Sequence, residues 1–160
     1  MILGTNCVFL KILKERAIRL KDIQQVIDKI QPLPGAVEFL KNLRSRTQVI
    51  LLSDTFYEFA MPLMAKLGYP ALFCNRLSAD TQGFVSNYHL RQKDGKKHAV
   101  RALQKIGFSV HAAGDSFNDI TMLKTAEKGI LFQPPDAILK QFPQFPVSKD
   151  YQSLSQLLIS

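Results

Sequence analysis

Apolar positions along the chain recur with two different periods, and the alternation between them predicts the architecture. Over residues 8–17, Phe9, Leu10, Leu13 and Ala17 share one helix face, and over 21–30 Ile23, Val26, Ile27 and Ile30 repeat that spacing. Asp22 falls in the first turn of the second helix, where negative charge suits the helix dipole. Pro32 and Pro34 break the chain. Pro34 fits the first turn of a third helix running to about Arg46, with Ala36, Val37, Leu40 and Leu43 inward. The period then changes. Val49-Ile50-Leu51-Leu52 is a short, uninterrupted apolar run with branched residues, which predicts a strand buried on both faces, as in a parallel sheet. Ser53-Asp54-Thr55 ends it. Thr55 and Glu58 have capping-box spacing, so a helix is expected from Thr55 to near Gly68.

Residues 72–75 read as another strand. Residues 76–91 lack helical spacing, and Asp80-Thr81-Gln82-Gly83 reads as a turn between strands at 76–79 and 84–90, a β-hairpin flap. Residues 96–106 are helical, with Ala99, Val100, Leu103 and Ile106 inward and Gly107 as the stop. Strands at 110–113 and 129–132 alternate with helices at 118–126 and 135–141. Pro143 and Pro146 flank a last extended piece, and Asp150 caps a final helix over 151–158. Strands and helices alternating at these lengths predict an α/β fold, a doubly wound and mainly parallel sheet.

Composition narrows the class. A chain of 160 residues fits one domain, and 46% hydrophobic with 21% charged residues is ordinary for a globular protein. No apolar run approaches the ~20 residues that span a bilayer, and no basic region precedes the apolar residues of the start, so neither a membrane partner nor a signal peptide is expected. Cys7 and Cys74 lack metal-ligand spacing and read as free thiols in a reducing cytoplasmic setting, Cys74 as a buried strand residue. The formal net charge of +8 raises nucleic-acid binding as a reading. The densest basic stretch runs through Arg91, Lys93 and Lys96, and Lys97, Arg101 and Lys105 form one helical row. No aromatic residue interleaves with them, so a solvated helix face is the plainer reading. A small anionic substrate would also be drawn by this field.

Three segments could carry chemistry. Gly114-Asp115-Ser116-Phe117-Asn118-Asp119 follows a predicted strand and opens a helix. This puts two carboxylates and a carboxamide at the carboxyl end of a strand, where open α/β sheets bind ligands. Asp115 is expected to ligate a hard cation such as Mg²⁺, Asn118 to hydrogen-bond substrate, and Asp119 to orient its neighbours from behind. The alternative is a simple capping turn at Ser116. Ser53, with Asp54 and Thr55, sits where a hydroxyl and backbone N–H groups would bind an anion, or merely cap a helix. Lys96 opens a helix, where a cation opposes the dipole unless something anionic lies close; Lys93 and Lys97 are alternatives. A hydroxyl with backbone donors, a cation and a carboxylate-bound Mg²⁺ together describe phosphoryl recognition.

These residues resemble the second (Ser53), third (Lys96) and fourth (Gly114 to Asp119) motifs of the haloacid dehalogenase (HAD) superfamily of phosphatases. Over about residues 8–158, Pro34-Gly35-Ala36-Val37-Glu38-Phe39, Leu52-Ser53-Asp54-Thr55-Phe56-Tyr57-Glu58-Phe59, Leu90-Arg91-Gln92-Lys93-Asp94, Ala112-Ala113-Gly114-Asp115-Ser116 and Gly129-Ile130-Leu131-Phe132 are similar to the bifunctional phosphoserine phosphatases, which are also phosphoserine:homoserine phosphotransferases. The resemblance implies a doubly wound core with a small helical cap, Mg²⁺ dependence, a phosphoaspartyl intermediate and a small phosphorylated metabolite as substrate. Carried onto this chain, Ser53 binds phosphate, Lys96 stabilises the phosphoaspartate, Asp115 binds Mg²⁺, Asn118 contacts substrate and Asp119 supports the site. Residues 1–31 correspond to the end of the cap and 32–160 to the core.

The resemblance breaks at one motif. The family's nucleophile lies in Asp-x-Asp or Asp-x-Glu at the end of its first, central strand, and no aspartate of this chain is followed two positions on by Asp or Glu. The chain is therefore expected to begin inside the cap, to lack that strand and to be inactive or nearly so by itself, since losing a nucleophile costs several orders of magnitude in rate. Residues 1–6 offer only Ile2 and Leu3 toward a replacement strand. A late or interrupted reading frame, a partial chain and a non-catalytic pseudo-phosphatase all fit. A sheet left with an open edge would favour a homo-oligomer.

Overall fold

The computed structural model describes residues 11–13 and 15–160. Cys7, residues 1–6 and much of the helix expected over 8–17 lie outside them. The described part turns at Arg16, and Ala17 takes a left-handed φ of 50°, so that helix stops short of Ala17. The chain forms two compact units, residues 1–41 with 48–91, and residues 42–47 with 92–160.

In the first unit β1 (Ile50–Phe56) pairs in parallel with β2 (Ala71–Ala79), Leu51 opposite Leu72 and Leu52 opposite Phe73. β2 continues into antiparallel pairing with β3 (Val85–His89). The strands expected at 72–75 and 76–79 are therefore one, because neither glycine nor proline separates them. The hairpin turn is where the sequence places it. The Asp80 carboxylate accepts the N–H groups of Gln82 and Phe84, each at 2.9 Å, and Gly83 supplies φ +86°.

β1 also outlasts its expectation, running through Ser53, Asp54 and Thr55 to Phe56. Apart from the exposed Asp54 its residues are half-buried rather than buried on both faces, with β2 its one strand partner among the described residues. The next helix accordingly starts at Tyr57, not Thr55, behind an extended Phe56 with no side-chain cap. Glu58, expected in a capping box, instead accepts the Leu77 N–H at 2.8 Å.

Before β1 come α1 (Leu20–Asp28) and α2 (Ala36–Arg44). α1 packs on α3 (Tyr57–Lys66), where Gln24 Nε2 donates to the Glu58 carbonyl at 2.8 Å and the Lys66 ammonium caps α1 by donating to the Asp28 and Ile30 carbonyls. Leu13, Leu77 and Val85 form the buried centre, ringed by Ile18, Leu20, Ile23, Phe56, Phe59 and Tyr88. Three positions read as inward from spacing are exposed: Val26, Ile30 and Val37. Periodicity marks an apolar stripe without saying how wide a surface is available to cover it.

In the second unit β4 (His111–Gly114), β5 (Lys128–Phe132) and β6 (Val147–Ser148) form a parallel sheet in that order. Four helices belong to it: α4 (Gly95–Lys105), α5 (Ile120–Leu123), α6 (Asp136–Gln141) and α7 (Tyr151–Ile159). Val100, Leu123, Ile130, Leu131 and Ile138 are each at most 1% exposed. β5 passes so close to the end of α5 that a Cβ on Gly129 would lie 2.4 Å from the Leu123 carbonyl oxygen. Asp150 caps α7 as expected, accepting the Ser153 N–H at 2.8 Å. The helix expected over 118–126 is shorter. A 3-10 turn (Phe117–Asp119) leads into α5, which stops at Leu123 so that the Glu127 N–H can reach the Val110 carbonyl at 2.9 Å and start β5. Ile106, expected inward, is exposed at the α4 C-cap, where Gly107 takes φ +94°. No helix of the described residues is long and apolar enough to cross a membrane.

Candidate active site

The second unit gathers Lys96, Asp115, Ser116, Asn118 and Asp119 from two places in the chain. β4 ends at Gly114, and the following loop folds back around the Asp119 side chain. One Asp119 oxygen, Oδ2, accepts the Asp115 N–H at 3.1 Å, the Ser116 N–H at 3.0 Å and the Ser116 hydroxyl at 2.8 Å. The other, Oδ1, accepts the Lys96 ammonium at 2.8 Å. Asp119 itself is buried, 6% exposed. Burial alone would raise its pKa. The hydrogen bonds from Lys96 and Ser116, with the Lys96 charge, outweigh that and hold it below the ordinary value of 3.8. Asp119 is therefore ionised at neutral pH and serves as the fixed anion around which the loop is wound.

Gly114 is needed for that winding. A Cβ there would sit 2.5 Å from the Asp119 Cβ and 2.7 Å from its Cγ, so no larger residue leaves room for the carboxylate. The requirement is one of space, not of backbone angle. The cation at the start of α4 finds its explanation in the same place: the anion facing Lys96 is Asp119. Of the alternatives, Lys97 lies 3.6 Å from Asp94 and Lys93 is exposed.

With Asp119 engaged on both oxygens, the carboxylate presented to solvent is that of Asp115, beside the exposed Asn118. Among the described residues no three of His, Cys, Asp and Glu gather into a metal cage. Mg²⁺ does not need one, since it keeps several waters and takes one or two carboxylates together with substrate phosphate. An exposed Asp115 on a loop fixed from behind suits that role.

Ser53, Asp54 and Thr55 lie in the first unit. The Ser53 hydroxyl is half-buried and accepts the Thr55 N–H at 3.2 Å; Asp54 is exposed, and its carbonyl accepts the Asn75 amide at 2.9 Å. The register of β1 against β2 shifts between Leu52 and Phe56, which lets the chain fold over the Ser53 hydroxyl. Thr55 caps nothing. The capping turn that the sequence offers at Ser116 forms: Ser116 precedes the 3-10 turn and donates its N–H and hydroxyl to Asp119. Sequence spacing did not single out Asp94 and Thr121, whose side chains meet at 2.7 Å. Asp94 precedes Gly95 at a helix start, a signal that by itself marks only a turn.

Comparison with known proteins identifies the family. The family model described as "haloacid dehalogenase-like hydrolase" matches residues 4–127. The "Phosphoserine phosphatase ThrH" of Pseudomonas aeruginosa is 50% identical over 147 residues, covering 92% of this chain and 72% of its own. A "Phosphoserine phosphatase" of Pseudomonas syringae pv. tomato is 50% identical over 150 residues, 94% of this chain, which spans 63% of that relative's length. A solved phosphoserine phosphatase in apo form superposes with a TM-score of 0.74 at 27% identity, over 88% of this chain and 74% of that one. The chain belongs to the haloacid dehalogenase-like hydrolases, in their phosphoserine phosphatase family.

Proposed function

We propose that this chain carries the phosphate- and metal-handling half of a phosphoserine phosphatase-type site, and that the 160 residues alone bind without turning over. The observation behind this reading is the Lys96–Asp119 pair with the loop wound on it, a preformed arrangement that fixes Lys96 and the backbone of Asp115 in place. Asp115 would be the metal ligand; Mg²⁺, when bound, supplies charge neutralisation at the phosphoryl oxygens. Lys96 adds a positive charge to the same site, Asn118 contacts the substrate side, and Asp119 fixes both loop and lysine. Ser53, with the backbone around Asp54 and Thr55, would be a phosphate-binding element of the first unit in its own right. The substrate is a small phosphorylated metabolite, phosphoserine, with homoserine as an alternative acceptor.

In this reading the acidic nucleophile motif is not among the 160 residues. No aspartate here begins an Asp-x-Asp or Asp-x-Glu. That gap favours a second reading, a non-catalytic phospho-ligand-binding or interaction protein on the same scaffold. Phosphate release from phosphoserine in the presence of Mg²⁺ tests the inactive state. The expectation is release no faster than the buffer control; turnover at the rate of an intact phosphatase would mean that another carboxylate does the attack.

A further inference from the structure

We propose that Asp94 is a positioning residue that sets the Lys96 amine against Asp119. Asp94 stands at the start of α4 with φ 53° and ψ 42°, a left-handed backbone that aspartate tolerates better than most residues and glycine best of all. A position that needed only this turn would suit glycine better, yet the glycine is its neighbour, Gly95. The Asp94 side chain does not cap its own helix. Its Oδ1 instead accepts the Thr121 hydroxyl at 2.7 Å, while its Oδ2 lies 3.6 Å from the Lys97 ammonium.

The spacing is reciprocal. Asp94 lies two residues before Lys96, and Thr121 two residues after Asp119. Asp94–Thr121 and Lys96–Asp119 therefore join the same two segments, the first turn of α4 and the start of α5, side by side. The seam continues along α4. Thr125 donates to the Thr121 carbonyl at 2.7 Å, and Gln104 Nε2 to the Thr125 carbonyl at 3.0 Å. A lysine has four rotatable bonds and loses considerable freedom when held in one place. Fixing the backbone two residues away decides where that freedom is centred, and so whether the ammonium rests on Asp119 or ranges through solvent.

The catalytic meaning of this latch rests on the function proposed above, but its existence does not. The test is amine acylation of the full chain, read residue by residue by mass spectrometry, with Lys105 as the exposed reference on the same helix. Wild-type Lys96, 13% exposed and paired, labels slowly. Asp94→Gly removes the carboxylate and the backbone strain together; Thr121→Val removes the hydroxyl and leaves the Asp94–Lys97 pair in place. Each raises the Lys96/Lys105 ratio about fivefold, the population change expected from losing one hydrogen bond. Their combination raises it no further. Asp94→Asn, which keeps an oxygen for Thr121, stays at the wild-type ratio. An unchanged ratio in both single variants, Asp94→Asn behaving as Asp94→Gly, or all lysines rising together would each overturn the proposal. Absence of phosphoserine binding with the labelling pattern intact would remove the proposed function and leave the latch standing.

Discussion

Each unit carries a polar segment toward the carboxyl end of a parallel strand, and the two segments are held in different ways. In the second unit, Gly114 to Asp119 is wound on a buried carboxylate that receives four donors, one of them a charged amine. In the first, Ser53-Asp54-Thr55 is not wound on a buried charge. Asp54 is exposed, the Ser53 hydroxyl takes one backbone N–H, and the strand continues to Phe56 with a shift of register. A buried charge needs its partners, because each one missing leaves it uncompensated, so a carboxylate in that place dictates the loop around it. A hydroxyl makes no such demand. The loop of the second unit is rigid by electrostatic necessity, whereas that of the first is free to keep the geometry of a strand.

Substitutions can break or sharpen this contrast. The largest effect is expected for Asp119→Ala, which strands the Lys96 ammonium and three loop donors; a loss of about 3 kcal/mol in urea unfolding is expected from removing one member of a buried pair. Gly114→Ala should follow at about 2 kcal/mol, since the new Cβ meets the near end of the Asp119 side chain, which cannot swing clear. Ser53→Ala, the counterpart in the first unit, should cost about 1 kcal/mol or less, one hydrogen bond in a half-buried place. Val37→Ser, on an exposed face, should stay within about 0.5 kcal/mol. If Ser53→Ala proved as damaging as Asp119→Ala, the distinction between the loops would collapse.

Acid should erase the contrast from one side. The Asp119 pKa is lowered in the folded protein, so its stabilisation is fully present above the ordinary value of 3.8 and is lost as pH falls through the folded value. The stability gap between wild type and Asp119→Asn should be constant from neutral pH down to about 5 and shrink below 3.8. A gap that widened on acidification would reverse the sign of this argument.

Much of the fold was legible in the chain because local chemistry settled it. Asp80 and Gly83 made the hairpin turn, Gly107 stopped α4, and Asp150 capped α7, each through groups within a few residues. What could not be read depended on distant partners. Glu58 had capping-box spacing from Thr55, but the Leu77 N–H lay within its reach. Val37 and Ile106 had helical spacing, but no surface covers them in this structure. At the site, residue types, loop position and the separate parts of Asp115 and Asp119 could be expected from the sequence, and their partners could not. Packing against Gly114, the arrival of Lys96 from another helix and the Ser116 hydroxyl bury Asp119 and leave Asp115 exposed.

The most direct test of the central claim is calorimetric titration of the 160-residue chain with phosphoserine, with and without Mg²⁺, beside Lys96→Gln and Asp115→Asn. The account predicts saturable binding that tightens with Mg²⁺ in the wild type, weakens in Lys96→Gln and loses its Mg²⁺ dependence in Asp115→Asn. Identical isotherms for all three proteins, or no saturable binding by the wild type, would contradict it.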